Sequence, residues 1–351
     1  MVNHRKGFEE YKAGRRRSRY AVVALFFMAF ILFALTIGIS TFDRMSYLEI
    51  LHFLFDRLMG GAIVDNDQRV VWDLLVPRAL GALIVGGALG IGGAVMQIIL
   101  RNPLADPYTT GISSGAGLGA IAAIVLGFSL LPGLTGQSAI IVNAFLFSLI
   151  PTALILGISS LKKPVPTDMI LIGIGLLFFF SSATTVIMLM AEPLELQRAY
   201  IWGLGNLGAL RWADLPLLLA MVILGTVVLI SYAGSLNILS TDDDTALSLG
   251  VDPDAQRAKS LVVVSLLTAS VVAFTGTIGF VGLVAPHVVR LLTGSDARYL
   301  LPSSFAVGAI MLLIADAAAK LLILPVGVMT SVIGGPVFLA LLIKQRRRDF
   351  Q

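Results

Sequence analysis

The chain has 351 residues, 57% of them hydrophobic and 13% charged, with a net charge of +4 at pH 7. Soluble domains carry about 25% charged residues, so a soluble globular fold is excluded. The absence of cysteine rules out disulfides and thiolate metal sites, and the three histidines (His4, His52 and His287) show no ligand spacing.

Seven basic residues, Arg5, Lys6, Lys12, Arg15, Arg16, Arg17 and Arg19, precede the first apolar run. That run, Tyr20 to Ile39, is too long for a signal-peptide core and lacks a small-residue cleavage site, so it predicts a retained first span. Next, Leu48, Leu51, Phe55 and Leu58 recur at helical spacing opposite Glu49, His52 and Asp56, which predicts a surface helix with one apolar face. A second span, 77–100, opens on Pro77 and Arg78. It runs into a polar, proline-broken hinge loop, Arg101-Asn102-Pro103-Leu104-Ala105-Asp106-Pro107, before a glycine-rich third span at 111–127. Spans at 138–161, 169–191 and 213–232 follow, with a short helix at Leu194–Leu204 between the last two. After a long polar stretch come spans at 260–278, 281–293, 300–321 and 326–343. Each is placed by apolar length, about 20 residues being enough to cross a bilayer. The short alternating segments of a β-barrel are absent.

The result is an all-α, polytopic membrane protein of about ten spans in one domain, residues 1–351. Residues 1–19 form a basic N-terminal segment, 235–258 a polar segment of short helices and 344–351 a tail. This threading puts 18 of the 25 Lys and Arg on one side, so the positive-inside rule places both termini in the cytoplasm. The basic clusters flank membrane helices, which favours topology over nucleic-acid binding as their explanation. Small residues such as Gly86-x-x-x-Gly90 and the run Ser113–Gly119 predict close helix packing.

The polar stretch before Leu261 carries two sets of helix signals. Thr241 can cap a helix with Asp242, Asp243 and Asp244 in its first turn, Gly250 can stop it, and Asp252-Pro253 starts another. A plain connector is usually shorter, so Ala246, Leu247 and Leu249 suggest a docking surface for a cytoplasmic partner. Among the ionisable residues near the spans, Asp316 and Lys320 have ion-pair spacing, and Arg101 and Asp106 can pair across the hinge. His287, with Arg290 three residues on, reads as packed or path-lining rather than metal-bound. Gly203-x-Gly205-x-x-Gly208 fits a dinucleotide fingerprint but follows no predicted strand. No phosphate-binding loop of the G-x-x-x-x-G-K-[ST] type occurs, so any ATP that drives this chain is bound by another.

Taken in order, Val76-Pro77-Arg78-Ala79-Leu80, Gly93-Ala94-Val95-Met96-Gln97 with the Arg101–Pro107 loop and Gly111–Ala116, Thr245–Val251, Gly279–His287, Pro325–Val328 and Gly334–Phe338 resemble the motifs of the FecCD-type (BtuC-like) permeases. These are membrane subunits of ATP-driven importers for iron–siderophore, haem, cobalamin and related substrates. The resemblance covers nearly the whole chain. It implies a ten-helix permease in a prokaryotic cytoplasmic (inner) membrane, paired around a central path with a second permease, expected as a homodimer with a heterodimer left open. Two ABC ATPase subunits beneath would carry ATP and Mg, and an extracytoplasmic binding protein would deliver substrate. The chain itself would bind no cofactor and catalyse no reaction.

By the same resemblance, Asp243, Asp244, Thr245, Ala246, Leu247, Leu249, Gly250 and Val251 would sit in a groove of the ATPase. Arg78 and Lys320 would receive acidic residues of the binding protein, and Thr167 and Asp168 would align with a cytoplasmic gate. Two departures bear on docking: the loop Lys320–Pro325 is short and has no acid, and Leu75 stands where some members have a second Arg. Substrate stays open among siderophore, haem, cobalamin and molybdate or tungstate. An ion-coupled carrier would need a midplane ion site and a membrane enzyme a clustered nucleophile, base or metal; neither is evident.

Overall fold

The computed structural model describes residues 2–39, 45–161 and 166–349. Arg44, Lys162 and Lys163, which entered the charge balance, lie outside the described residues. Among the described residues every regular element is helical. In chain order they are α1 (Val2–Gly38), α2 (Tyr47–Leu58), α3 (Asn66–Val70), a π turn (Val71–Leu75), α4 (Val76–Ile99), a 3-10 turn (Pro107–Thr110), α5 (Ile112–Leu126), α6 (Gly136–Leu161), α7 (Pro166–Met188), α8 (Pro193–Gly203), α9 (Leu215–Ser231), α10 (Ala233–Leu239), α11 (Asp243–Ser248), α12 (Pro253–Thr275), α13 (Val281–Thr293), α14 (Ala297–Leu322) and α15 (Val326–Asp349).

Six stretches are long and apolar enough to cross a membrane: Gly14–Gly38, Asn66–Ile99, Gly136–Ser159, Pro166–Met188, Pro253–Thr275 and Ala297–Leu322. The pair α9 and α10, bent by 55° at Tyr232, makes a seventh, and three shorter apolar helices lie at Ile112–Leu126, Val281–Thr293 and Val326–Leu341. These ten coincide with the ten expected spans, and the chain is a multi-pass membrane protein. The end of the bundle where Arg15, Arg101 and Arg257 gather is called the basic end below.

Helix α4 is the axis of the bundle, enclosed by α14, α13, α12 and α9. Its glycines make this possible. A Cβ on Gly90 would lie 2.1 Å from the carbonyl oxygen of Ser304 in α14, and one on Gly93 1.9 Å from that of Gly282 in α13. On α14, Gly308 reciprocates: its Cβ would lie 2.2 Å from the carbonyl oxygen of Gly86. Backbones thus touch directly, as small residues at membrane helix crossings allow. Gly115 and Gly119 of α5 do the same against the carbonyls of Phe147 and Asn143 in α6.

Helix α2 forms where the apolar pattern places a surface helix. Its Ser46–Glu49 capping box starts it as the pattern suggests. However, Ile50 and Phe53 pack inward on Ile37 and Val71, whereas Leu48, Leu51, Phe55 and Leu58 remain exposed. An apolar face left outward on a surface helix suits an interfacial position.

The second span also begins earlier than expected. Pro77 does not open it, because the helical run starts at Asn66 and passes through the π turn at 71–75. In that turn Val76 N–H donates to Val71 O, an i→i−5 bond, so the next bond in register would come from residue 77 to Trp72 O. Proline has no N–H to give. Trp212 supplies it instead, donating from Nε1 to Trp72 O at 2.7 Å.

Two of the short spans are short because the chain enters the bundle without helix. Helix α5 has 15 residues, about 22 Å of rise against a hydrocarbon core of about 30 Å. Gly111, just before it, packs on Gly173 and Leu176, about two to three turns into α7. Pro107 lies against Gly92 and Gly282. The hinge loop therefore turns back into the bundle. Helix α13 has 13 residues and is preceded by the non-helical segment 276–280, whose Gly276 and Phe280 have φ of 69° and 68°. The two segments meet where Ile278 N–H donates to the Tyr108 hydroxyl at 3.1 Å. Buried backbone polar groups must be satisfied inside a membrane protein, and the carboxylate of Asp106 takes the N–H groups of Tyr108 and Thr109 at 3.0 Å each.

Candidate functional site

At the basic end, α11 is a short helix stopped at both ends. Its N-cap is Asp242, not Thr241 as expected: Asp242 Oδ1 accepts from Thr245 N–H at 2.8 Å, and Oδ2 accepts from the Thr245 hydroxyl at 2.7 Å. Thr241 instead donates to Ile238 O, closing α10. Both side chains are competent caps and stand one residue apart, so only the backbone angle chooses between them. The Thr245 bond holds the exposed Asp242 carboxyl below the usual carboxylate range. Gly250, at φ 82°, ends the helix, and Asp252 caps α12 by accepting from Asp254 and Ala255 N–H. Ala246 is fully buried, while Leu247 and Leu249 are 57% and 60% exposed. Asp244 and Gly250 are exposed beside them, with Val251 half-buried.

Asp243 is the anchor of this helix. Arg257 Nη2 and Nη1 donate to its two oxygens at 2.7 and 3.0 Å, and Arg101 Nη2 donates to Oδ1 at 2.7 Å. The Arg257 bonds hold the Asp243 carboxyl below its ordinary range, with the nearby Arg101 charge adding to the effect. Exposed ion pairs contribute about 0–1 kcal/mol, and Asp243 is 42% exposed. The Arg257 side chain is only 3% exposed, so it is the partner that would suffer most if the carboxylate were lost.

The expected Arg101–Asp106 pairing across the hinge does not occur. Arg101 points outward to α11 and Asp106 inward as a cap, because Arg101 takes a left-handed backbone (φ 46°) directly after the α4 C-cap. Glycine is usual there, and an L-residue costs about 1–2 kcal/mol. The rest of the hinge folds locally: Asn102 Oδ1 accepts from Leu104 N–H at 2.9 Å, with Pro103 exposed and Pro107 buried.

Thr167 and Asp168 are exposed in the first turn of α7. Beside them a cleft of about 260 Å³ opens between α6, α7 and α12, lined by Ser159, Met169, Asp254 and Arg257 among others. Arg257 thus belongs to both the α11 anchor and the wall of this cleft.

At the opposite end, Arg78 and Lys320 converge on Asp316. Arg78 Nε donates to Asp316 Oδ1 at 2.7 Å, and the Lys320 ammonium lies 3.1 Å from Oδ2. The second contact is electrostatic rather than a well-angled hydrogen bond, since Oδ2 has no hydrogen-bond donor. Lys320 spends its bond on Thr36 O at 3.1 Å. The side chains of Asp316, Lys320 and Arg78 are 0%, 3% and 20% exposed. Of the two cations, only Arg78 presents charge to an outside partner. A cleft of about 340 Å³ stands above, lined by Arg78, Asn206, Lys320 and Pro325 among others.

His287 donates from Nδ1 to Leu283 O (2.8 Å) and stands edge-on to Phe338. Among the described residues, no group of three or more His, Cys, Asp or Glu is placed to hold a metal ion. Its neighbour Pro286 leaves Gly282 O without a donor four residues on. Gln97 Nε2 faces that carbonyl at 3.5 Å, and Arg290 donates to Gln97 Oε1. The roles of Gln97, Trp212 and Arg257 were missed in the sequence. For Gln97 and Trp212 the prolines were the available signal, each leaving one carbonyl to be claimed. The Gly203–Gly208 fingerprint is a helix-to-loop junction: Gly205, at φ 72°, packs on Thr277 O, and Asn206 N–H donates to Thr275 O at 2.7 Å.

Comparison with known proteins agrees with this architecture. The model of the FecCD transport family matches residues 25–344. The cobalamin import system permease protein BtuC of Halobacterium salinarum is 38% identical over 282 residues, 80% of this chain and 75% of the relative. The hemin transport system permease protein HmuU of Yersinia pestis is 35% identical over 328 residues, 92% of this chain and 96% of the relative. A solved chain assigned to a metal-chelate type ABC transporter, in an inward-facing conformation, superposes with a TM-score of 0.79 at 28% identity, over 92% of this chain and 98% of that one. The chain belongs to the FecCD transport family.

Proposed function

We propose that the chain is the permease subunit of a binding-protein-dependent ABC importer, moving an iron chelate, haem or cobalamin-type compound through a path shared with a second, identical copy. The basic end faces the cytoplasm in this reading, which agrees with the positive-inside rule. The observation that carries it is α11. This helix presents Leu247 and Leu249 to solvent on a frame fixed by Asp242, Asp243 and Gly250. Exposed apolar pairs beside one another suit a protein partner better than open water. Since the chain has no phosphate-binding loop, that partner supplies ATP and Mg, and this subunit performs no chemistry.

The residues take the following roles in this reading. Asp243, Asp244, Thr245, Ala246, Leu247, Leu249, Gly250 and Val251 form the coupling element. Thr167 and Asp168, at the mouth of α7, form the cytoplasmic gate next to the Arg257 cleft. The loop Arg101–Pro107 is the hinge. Arg78 is the cation offered to an acidic residue of the extracytoplasmic binding protein, and Lys320 orients it through Asp316. The substrate class follows the relatives named for cobalamin import and hemin transport.

Affinity purification of the chain from its own membrane tests this. An ATPase and a binding protein should co-elute, and the ligand of the latter identifies the substrate. A lone chain that transports without them would refute the reading.

A further inference from the structure

One carboxylate at the basic end joins four separate pieces of the chain. Arg101 grips Asp243 and, with the same Nη2, the carbonyl of Leu239 at the end of α10 (3.0 Å). Arg257 grips Asp243 and, through Nε, the carbonyl of Ile99 at the end of α4 (3.2 Å). The short helix α11 has little else to hold it. Of its six residues only Ala246 is buried, so apart from its chain connections a push on Leu247 or Leu249 enters the bundle through Ala246 and the Asp243 bonds. Arg101 is also the first residue of the loop that turns back between the helices. Seven residues later, the Tyr108 hydroxyl accepts from Ile278 N–H in the non-helical segment that leads into α13. Left-handed backbone at a non-glycine residue persists where surrounding contacts over-determine it, and the Leu239 and Asp243 bonds do that for Arg101.

We propose that Asp243, Arg101, Arg257 and Tyr108 are positioning residues that carry movement of α11 to the two discontinuous spans. Force applied at Leu247 and Leu249 travels through Arg101 along the hinge loop and reaches segment 276–280 at Tyr108. This rests on the docking role of α11 given above. A spatial chain of contacts is only a route until coupling along it is measured, so the test reads motion at the far end and needs no identified substrate.

The measurement is hydrogen–deuterium exchange of the complete complex with its co-purifying ATPase, nucleotide-free and trapped with ATP and vanadate. In the parent, peptides covering 101–111 and 276–281 should both change on trapping. Arg101→Gln should lose most of that change in both peptides while retaining the ATPase and the parent's melting temperature. Arg101→Lys, which keeps a cation able to reach one of the two acceptors, should recover part of it. Tyr108→Phe removes a single hydroxyl, and should silence 276–281 while leaving the response of 101–107 intact. The proposal is overturned if Arg101→Gln and Tyr108→Phe transmit as the parent does. It is also overturned if the parent's 276–281 peptide ignores the nucleotide, or if Arg101→Gln releases the ATPase. A parent chain that retains no ATPase at all refutes the docking reading instead.

Discussion

The α4–α14 crossing should tolerate no added side-chain atom, and Gly90→Ala tests it. The added Cβ would stand 2.1 Å from the Ser304 carbonyl oxygen and 3.2 Å from Gly308 Cα. The obstacle is backbone, so no side chain can rotate away, and relief requires the two helices to part by on the order of 1 Å. A gap of that size forfeits about a quarter to a half of each local dispersion contact, and overpacking alone typically costs about 1–3 kcal/mol. Together they predict a loss of about 3 kcal/mol, which in a chain of this size lowers the melting temperature by on the order of 5 °C. Gly117→Ala is the control: nothing lies within 4 Å of its Cβ, so higher helix propensity should leave stability unchanged or raise it by about 0.5–1 kcal/mol. Thermal unfolding in detergent, followed by tryptophan fluorescence, measures both. If Gly90→Ala melts with the parent, α4 and α14 do not cross backbone to backbone and the packing account is wrong.

Asp316→Ala leaves Arg78 and the buried Lys320 without a counter-charge; removing one member of a buried ionic group costs about 3–5 kcal/mol, so this variant should melt well below the parent in the same assay. The bond from Gln97 to Gly282 O is needed because Pro286 has no N–H. Gln97→Met should therefore cost about 1–3 kcal/mol by stranding a buried carbonyl, and Pro286→Ala should relieve part of that cost in a double-mutant cycle. Asp243 is held below its ordinary range chiefly by Arg257, so its contribution is present above the ordinary Asp value of about 3.9 and is lost as pH falls through the lower folded value. The chain has no cysteine, so a nitroxide on Leu247→Cys can report this directly: the label should gain mobility only in acid, and Asp243→Asn should make it mobile at every pH. Finally, Asp243→Lys combined with Leu249→Asp should reduce ATPase co-purification without unfolding the bundle; equal yields of ATPase would remove α11 from the interface.

How far the sequence could be read depended on how local each cause is. Apolar length placed six spans and the bent seventh, along with three shorter apolar helices, and Gly86-x-x-x-Gly90 announced a tight crossing, because both signals lie within one helix. The cap of α11 was off by one residue because Thr241 and Asp242 offer the same chemistry and differ only in backbone angle. The Lys320–Asp316 pair was legible from its i,i+4 spacing. Burial of the pair beneath Arg78, 238 residues earlier in the chain than Asp316, was not.

The hinge shows the limit most clearly. Proline and glycine announced that Arg101–Gly111 could not be a regular helix, and length alone made α5 and α13 look merely short. What turns a short span into a discontinuous one is where the orphaned backbone groups find partners. Here the answers are Tyr108 for Ile278, Trp212 for Trp72 and Gln97 for Gly282, at sequence separations of 170, 140 and 185. No periodicity connects such pairs. They exist only because a membrane interior has no water to satisfy a free N–H or C=O, so every break in a helix must be answered by another part of the chain. Each break therefore predicts one distant polar side chain, and finding its donor or acceptor is a structural question that helix length cannot answer.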